Sequence, residues 1–367
     1  MGLTALQVHG NGLGAAGVCE YRGATTATRF ADPQSEFDAL RTACGVYDLG
    51  VRAKISLTGS DRVRWLNGMV TNNIRDLASG QGVYAFLLNP QGHILGDLYA
   101  YNRGESITVD SDFAQLEKLL ATFDHYIIMD DVTVADVNGQ ITALGIAGPA
   151  SRKLLADAGF ELPDLKPLQI SPRTWNQIEC TLVGTDGPCE GFEIWLHPEH
   201  VRHLWDALRS AGAAAVGSEA LELHRIASGI PRYGVDIRER DLPQETEQAR
   251  ALNFNKGCYV GQEIVERIRS RGAVHRKFSG FLAEGPIAPD AKIIAAGKEV
   301  GVVTSAAAVR FDFGQRTVAL GYIRREAASP GAEVMIGSEK AIVVPVPIAD
   351  WAPFAQAVVP EPHSAVQ

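Results

Sequence analysis

The sequence predicts an α+β fold that ends in an antiparallel β-barrel. Hairpin-like strand pairs alternate with amphipathic helices up to about residue 275, and helical periodicity then stops in favour of short strand runs between Gly, Pro and polar turns. No GxGxxG follows a strand, which removes a dinucleotide-binding βαβ sheet from consideration.

The elements follow in order. Residues 33 to 44, "PQSEFDALRTAC", place Phe37, Leu40 and Ala43 on one helical face. The strand "AKISLTG" comes next, and Ser60 is expected to N-cap "DRVRWLNGMV", where Val63, Leu66 and Val70 fall at helical spacing. "GVYAFLLN" and "HILGDLYAY" form two strands joined by the turn "NPQG". The clearest amphipathic helix is "DFAQLEKLLATF", striped by Phe113, Leu116, Leu119, Leu120 and Phe123. Strand "ITALGIAG" leads through Pro149 into helix "ASRKLLADAG". A strand–turn–strand, "CTLVGTDGPCEGFEIWL", precedes a helix through "EHVRHLWDALRSAG". "KFSGFLAEG", "KIIAAGKEVGVVTSAAA", "TVALGYIRR" and "AEVMIGSEKAIVVPVPI" then supply a barrel of roughly 75 residues. The expected division is an α+β region over 1–250, a junction over 251–274, a barrel over 275–350 and a Pro-rich disordered tail over 351–367.

Composition narrows the function. The chain has 367 residues, 46% hydrophobic and 21% charged, as in a soluble globular protein with sizeable cores. A net charge of -9 argues against nonspecific nucleic-acid binding, which needs a basic face. The first residues lack the charge and apolar run of a signal peptide, and Leu6 stands where N-myristoylation needs Ser or Thr. No run approaches the roughly 18 apolar residues of a membrane span, so no membrane partner is expected. Five cysteines, none spaced as CxxC, predict free thiols in a reducing cytoplasm and no metal site.

The densest chemistry lies in "NFNKGCYVGQEIVERIRSRG", residues 253 to 272. A thiol beside a helix N-terminus gains from unpaired N–H groups and the helix dipole. With a helix starting near Val260, Cys258 lies just before that end, and Gly257 and Gly261 permit a close approach. The residues alone leave open a buried small side chain or a functional thiol. Downstream, Arg267, Arg269, Arg271, Arg276 and Lys277 form a basic stretch, either a solvated face or an attractor for an anionic ligand or an acidic protein partner.

"KGCYVGQE" resembles the K-G-C-[FY]-x-G-Q-E signature of YgfZ-type folate-binding proteins, relatives of the glycine cleavage T-protein (aminomethyltransferase). Lys256, Gly257, Cys258, Tyr259, Gly261, Gln262 and Glu263 are its matching positions. "CGVYDLGVRAKISLTGSDRVRWLNGMVTNNI", "LLNPQGHILGDLYAY", "GFEIWLHPE" and "ALELHRIASGIPRYGVDI" are similar to further segments of that superfamily. The resemblance implies a three-lobed body of mixed sheets and helices, its first two lobes interleaved, followed by the barrel. It implies tetrahydrofolate, or a one-carbon derivative, as cofactor. Glu193 would hold the donor edge of the pterin. Arg225 would stand at the folate site as a rigid fork, and Asp97 beside the reacting nitrogen. Asn89 and Tyr101 would line the same pocket.

Two functions follow from the resemblance. The first is a folate-binding protein that supports assembly or repair of iron–sulfur proteins, with client or assembly proteins as partners and Cys258 serving its own step. The second is tetrahydrofolate-dependent aminomethyl or methyl transfer. T-proteins carry two adjacent aspartates where this chain has Gly96-Asp97, a departure that weighs against the second.

Overall fold

The computed structural model describes residues 2–9, 12–187, 189–272, 274–311 and 314–348. The tail expected over 351–367 lies outside the described residues. The chain divides into two compact units, residues 1–224 with 232–274, and residues 225–231 with 275–367. The KGCYVGQE segment thus packs within the larger unit, while a short stretch starting at Arg225 goes with the smaller.

In the larger unit, Gly82–Leu88, Ile94–Asn102, Ile107–Asp112, Arg52–Thr58 and Thr133–Asp136 pair in that order as a five-stranded antiparallel sheet. Side chains alternate across a strand, and the alternation sorts this sheet sharply. Ala53, Ile55, Leu57, Leu98, Ala100, Ile107 and Val109 face one way and form a core with Trp65, Leu66, Leu119 and Phe123 from the helices Arg62–Met69 and Leu116–Tyr126. Arg52, Lys54, Asp97, Tyr99, Tyr101, Asp110 and Asp112 are the alternate residues on the same strands.

The six-stranded sheet runs Ile170–Trp175, Ile178–Gly184, Gly191–Leu196, Thr142–Ala147, Gly45–Asp48 and Ala214–Val216, antiparallel except for the last pair. Val46, Leu144, Ile146, Leu182, Phe192 and Ile194 pack against Leu204, Trp205 and Leu208 of the helix Val201–Ser210. Tyr47, Gly145, Glu193 and Trp195 alternate with them and take the opposite face. Trp195 meets Tyr101 edge-on at 5.0 Å, so these two faces, one from each sheet, come together.

Most expected elements lie where the periodicity puts them. Ser60 does not cap its helix. Asp61 takes the N-cap position, and Ser60 Oγ donates instead to Asp131 Oδ2 at 2.8 Å, tying the helix start to a loop distant in sequence. In the smaller unit six strands close an antiparallel barrel around Phe281, Ile293, Val303, Ala319, Ile336 and Val343, as the strand-rich C-terminal sequence predicts. Among the described residues no helix is long and apolar enough to cross a membrane.

One histidine of the larger unit links burial to acid stability. His224 lies against Phe37, with Cys189 Sγ 3.8 Å from Nε2, and burial pushes its pKa down to about 4. The unfolded chain takes up this proton near pH 6.5. Stability is therefore full above that pH and falls as the pH drops toward 4, by up to about 3 kcal/mol. Denaturant titrations at pH 7, 5.5 and 4.5 should show His224→Gln with a flatter profile than the parent. Equal slopes would remove His224 as the cause.

Candidate functional site

Charge is concentrated where the two polar sheet faces meet. Arg52 Nε donates to Asp110 Oδ1 at 2.8 Å, and its Nη1 donates to Asp112 Oδ1 at 2.9 Å. Arg22 Nη1 reaches the same Asp112 oxygen at 2.8 Å. Burial opposes ionisation of Asp112, but Arg22 and Arg52 hold its carboxyl below the usual range. Lys54 is fully buried, 3.2 Å from Asp110 Oδ2 and 5.0 Å from the Trp195 ring centre. Its ammonium makes no hydrogen bond among the described residues. A buried cation so sparsely solvated is tolerable only beside anions, and Asp110 and Glu193 provide them.

Glu193 is half-buried. Trp195 Nε1 donates to its Oε2 at 2.7 Å, which leaves Oε1 without a donor among the described residues. Burial raises its pKa, Asp110 adds to the effect, and Lys54 and Arg52 oppose it. In register with it stand Gly145 and then Tyr47 on the next two strands. The Tyr47 ring lies over Gly145 so closely that an added methyl group would collide with it. Glycine there lets the tyrosine lie across the sheet toward Glu193, and burial together with that carboxylate raises the Tyr47 pKa.

Asp97 is held at both carboxylate oxygens, Oδ2 by Tyr84 Oη at 2.7 Å and Oδ1 by Gln115 Nε2 at 2.7 Å. Its pKa is raised by burial and by Asp112, against the pull of those two donors. The neighbouring Gly96 bears on the argument made from its missing carboxylate. A side chain at 96 would leave the opposite face of the strand, 2.9 Å from Gln115 Oε1 and against Leu119. Gln115 is the residue that holds Asp97 through Nε2, so a side chain at 96 would press on the group that orients Asp97.

Of the remaining expected positions, Asn89 and Arg225 lie elsewhere and Tyr101 lies with Glu193. Asn89 Oδ1 accepts the His93 backbone N–H at 2.9 Å, so the side chain expected to line a pocket closes its own turn. Arg225 is buried in the smaller unit, where Nη2 donates to Ser305 Oγ at 2.9 Å and Nη1 to the Ile230 carbonyl at 3.3 Å. Tyr101 is buried beside Trp195 and belongs with Glu193.

The KGCYVGQE segment is an anchored strap. Lys256 is buried, and its Nζ donates to the carbonyls of Asn67 at 2.6 Å, Val70 at 2.5 Å and Asn72 at 2.7 Å. These carbonyls lie in the last turn of Arg62–Met69 and just beyond it, where acceptors lack helical partners and the dipole favours a cation. Burial, helped by Arg75, brings the Lys256 pKa down to about 7. Tyr259 is buried with Phe86, Leu88 and Val265. The helix runs Gln262–Arg271, beginning later than expected because Gly261, at φ +82°, turns the chain into it. A methyl group at Gly261 would lie 2.6 Å from the Asn89 carbonyl oxygen, so only glycine allows the strap to meet the NPQG turn. Between two buried anchors, Cys258 is exposed, contrary to a buried structural role. Arg267 and Arg269 are exposed, with Arg269 over Phe254 and 3.5 Å from Glu266; the Arg271 side chain lies outside the described residues.

The sequence reading missed Arg52, Lys54, Asp110 and Trp195. Alternate charges within "RAKISLT" and "ITVDSD", strands whose other residues are apolar or small, were the signal available. Among the described residues no group of three or more His, Cys, Asp or Glu side chains is arranged to hold a metal ion.

The family model for the GCVT N-terminal domain matches residues 13–256. The chain is 31% identical over 338 residues to an aminomethyltransferase of Rubrobacter xylanophilus, covering 89% of each. It is 30% identical over 344 residues to an aminomethyltransferase of Streptomyces coelicolor, covering 90% of this chain and 91% of the other. It shares its fold with the glycine cleavage system aminomethyltransferase T from Bartonella henselae, at a TM-score of 0.82 and 23% identity over 95% of this chain and 97% of that one. With the family match and these relatives in hand, the chain belongs to the glycine cleavage T-protein (aminomethyltransferase) superfamily.

Proposed function

We propose that the protein binds tetrahydrofolate at the inter-sheet cluster of its larger unit and transfers a one-carbon unit, aminomethyl or methyl, to it. One observation carries this: Glu193 is fixed through Oε2 by Trp195 and offers an unengaged Oε1 beside aromatic walls. A pterin presents neighbouring N–H donors on a flat ring, which suits a carboxylate fixed by Trp195, whose ring packs against Tyr101. Tetrahydrofolate supplies the nucleophilic nitrogen that accepts the one-carbon unit. Asp97, oriented by Tyr84 and Gln115 and with its pKa raised, is placed to hold or take a proton near that nitrogen. Arg22, Arg52 and Lys54 together offset Asp110 and Asp112, so the face can carry Glu193 and Asp97 without a large excess of negative charge.

A second reading, support of iron–sulfur proteins, is favoured by the exposed Cys258 thiol between buried Lys256 and Tyr259. A panel of reduced folates and amine donors, assayed for binding and for product, separates the two. Turnover unaffected by Cys258→Ser supports transfer. Folate binding without turnover, together with loss of iron–sulfur enzyme rescue by Cys258→Ser in deficient cells, supports the second reading. Absence of folate binding removes both.

A further inference from the structure

A cleft of about 560 Å³ opens in the larger unit beyond the carboxylate cluster. Trp195 stands between them. It meets Tyr101 and bonds Glu193 on one side, and it lines the cleft on the other. Asp97, Tyr99 and Tyr101 alternate along one strand face, and the next residue in that series is Arg103, which lines the cleft. Arg103 Nη2 donates to Thr181 Oγ1 at 3.1 Å, and Thr181 is the register partner of Trp195. Arg173 enters from the strand Ile170–Trp175, opposite Cys180.

The two arginines lack counter-charges. Neither forms an ion pair among the described residues, in a chain where most other arginines of this unit meet a carboxylate. Glu179 is the one acidic residue lining the cleft, and it is exposed. Burial alone lowers the Arg103 pKa, which means that its guanidinium has lost water without gaining an anion. A desolvated, unpaired cation costs free energy that an anionic ligand would return. Guanidinium forks match carboxylates two bonds at a time. The volume is that of a small-molecule pocket, too large for a lone inorganic ion to fill.

We propose that this cleft is a second ligand site, which binds a small polycarboxylate through Arg103 and Arg173 against the Trp195 wall. Glu179 at the rim opposes the ligand's charge and limits its affinity. The cleft shares the Trp195 wall with the folate reading, but none of its charged residues belongs to the Glu193–Asp97 cluster.

Calorimetric titration of the full chain with citrate, with tri-glutamate and with inorganic phosphate tests the proposal. Saturable binding of citrate identifies a free small acid as the source, and of tri-glutamate a peptide-like tail. Either should weaken at least tenfold in Arg103→Gln and in Arg173→Gln, and should tighten severalfold in Glu179→Gln. A structural role for the arginines would not produce that opposite response. Thermal unfolding checks that each variant is folded, and Arg173→Gln, at the sheet edge, serves if Arg103→Gln is not. No saturable binding of either acid overturns the proposal, as does affinity unchanged in folded arginine variants. Phosphate binding as tightly as the acids overturns the polycarboxylate assignment.

Discussion

Glu193→Gln should weaken tetrahydrofolate binding about 10- to 100-fold, the value of one or two hydrogen bonds to a charged acceptor. The substitution keeps the shape of the side chain and the contact with Trp195 but removes the charge that a donor edge would seek. A pH signature should accompany the loss. The Glu193 pKa is raised by burial, so the ionised acceptor disappears at a higher pH than for an ordinary glutamate. Affinity of the parent should fall as the pH drops through that raised value, and affinity of the variant should not. Stability should move the other way. A raised carboxylate pKa means that the folded state disfavours the charge at neutral pH, so a neutral isostere is expected to be neutral or stabilising. Fluorescence titration and thermal unfolding of the same samples decide the matter. Unchanged affinity would remove Glu193 from the folate site, and a large loss of stability would make it a structural residue.

Lys256→Met should lower stability by about 3 kcal/mol, because three backbone carbonyls at the end of the Arg62–Met69 helix lose their donor together. For a unit of this size that corresponds to a fall in Tm of roughly 5–10 °C. Cys258→Ser, two residues away in the same motif, should change Tm by no more than about 1 °C because its side chain is exposed. Calorimetry of the two variants separates the anchor from the group it presents. Equal losses would mean that the thiol is part of the packing, and no loss in Lys256→Met would mean that the carbonyls are satisfied in some other way.

Much of the architecture was legible because apolar periodicity is a local property. The stripe of the Leu116–Tyr126 helix, the two strands around NPQG and the loss of helical spacing after residue 275 depend on neighbours in sequence, and they appear where the periodicity puts them. Ser60 shows where local reasoning stops. It has the chemistry of an N-cap, yet Asp131, far along the chain, takes its hydroxyl. The candidate site was legible only in part. Glu193, Asp97 and Tyr101 came from resemblance, whereas Lys54 and Asp110, which set the charge around Glu193, read locally as ordinary strand residues with polar side chains.

By itself the sequence determined the fold class, the barrel, the absence of cysteine pairs at CxxC spacing and the motif that draws attention to Cys258. These follow from spacing along one chain. Tertiary structure decided which face of a strand meets another sheet, and with it three conclusions. A side chain at Gly96 would meet Gln115, the residue that holds Asp97; Trp195 divides a carboxylate cluster from a basic cleft; and Lys256 is buried while Cys258 is exposed. The physical reason is the same in each case. The cost or benefit of a charge depends on what desolvates and what pairs it, and those partners come from strands that only folding brings together.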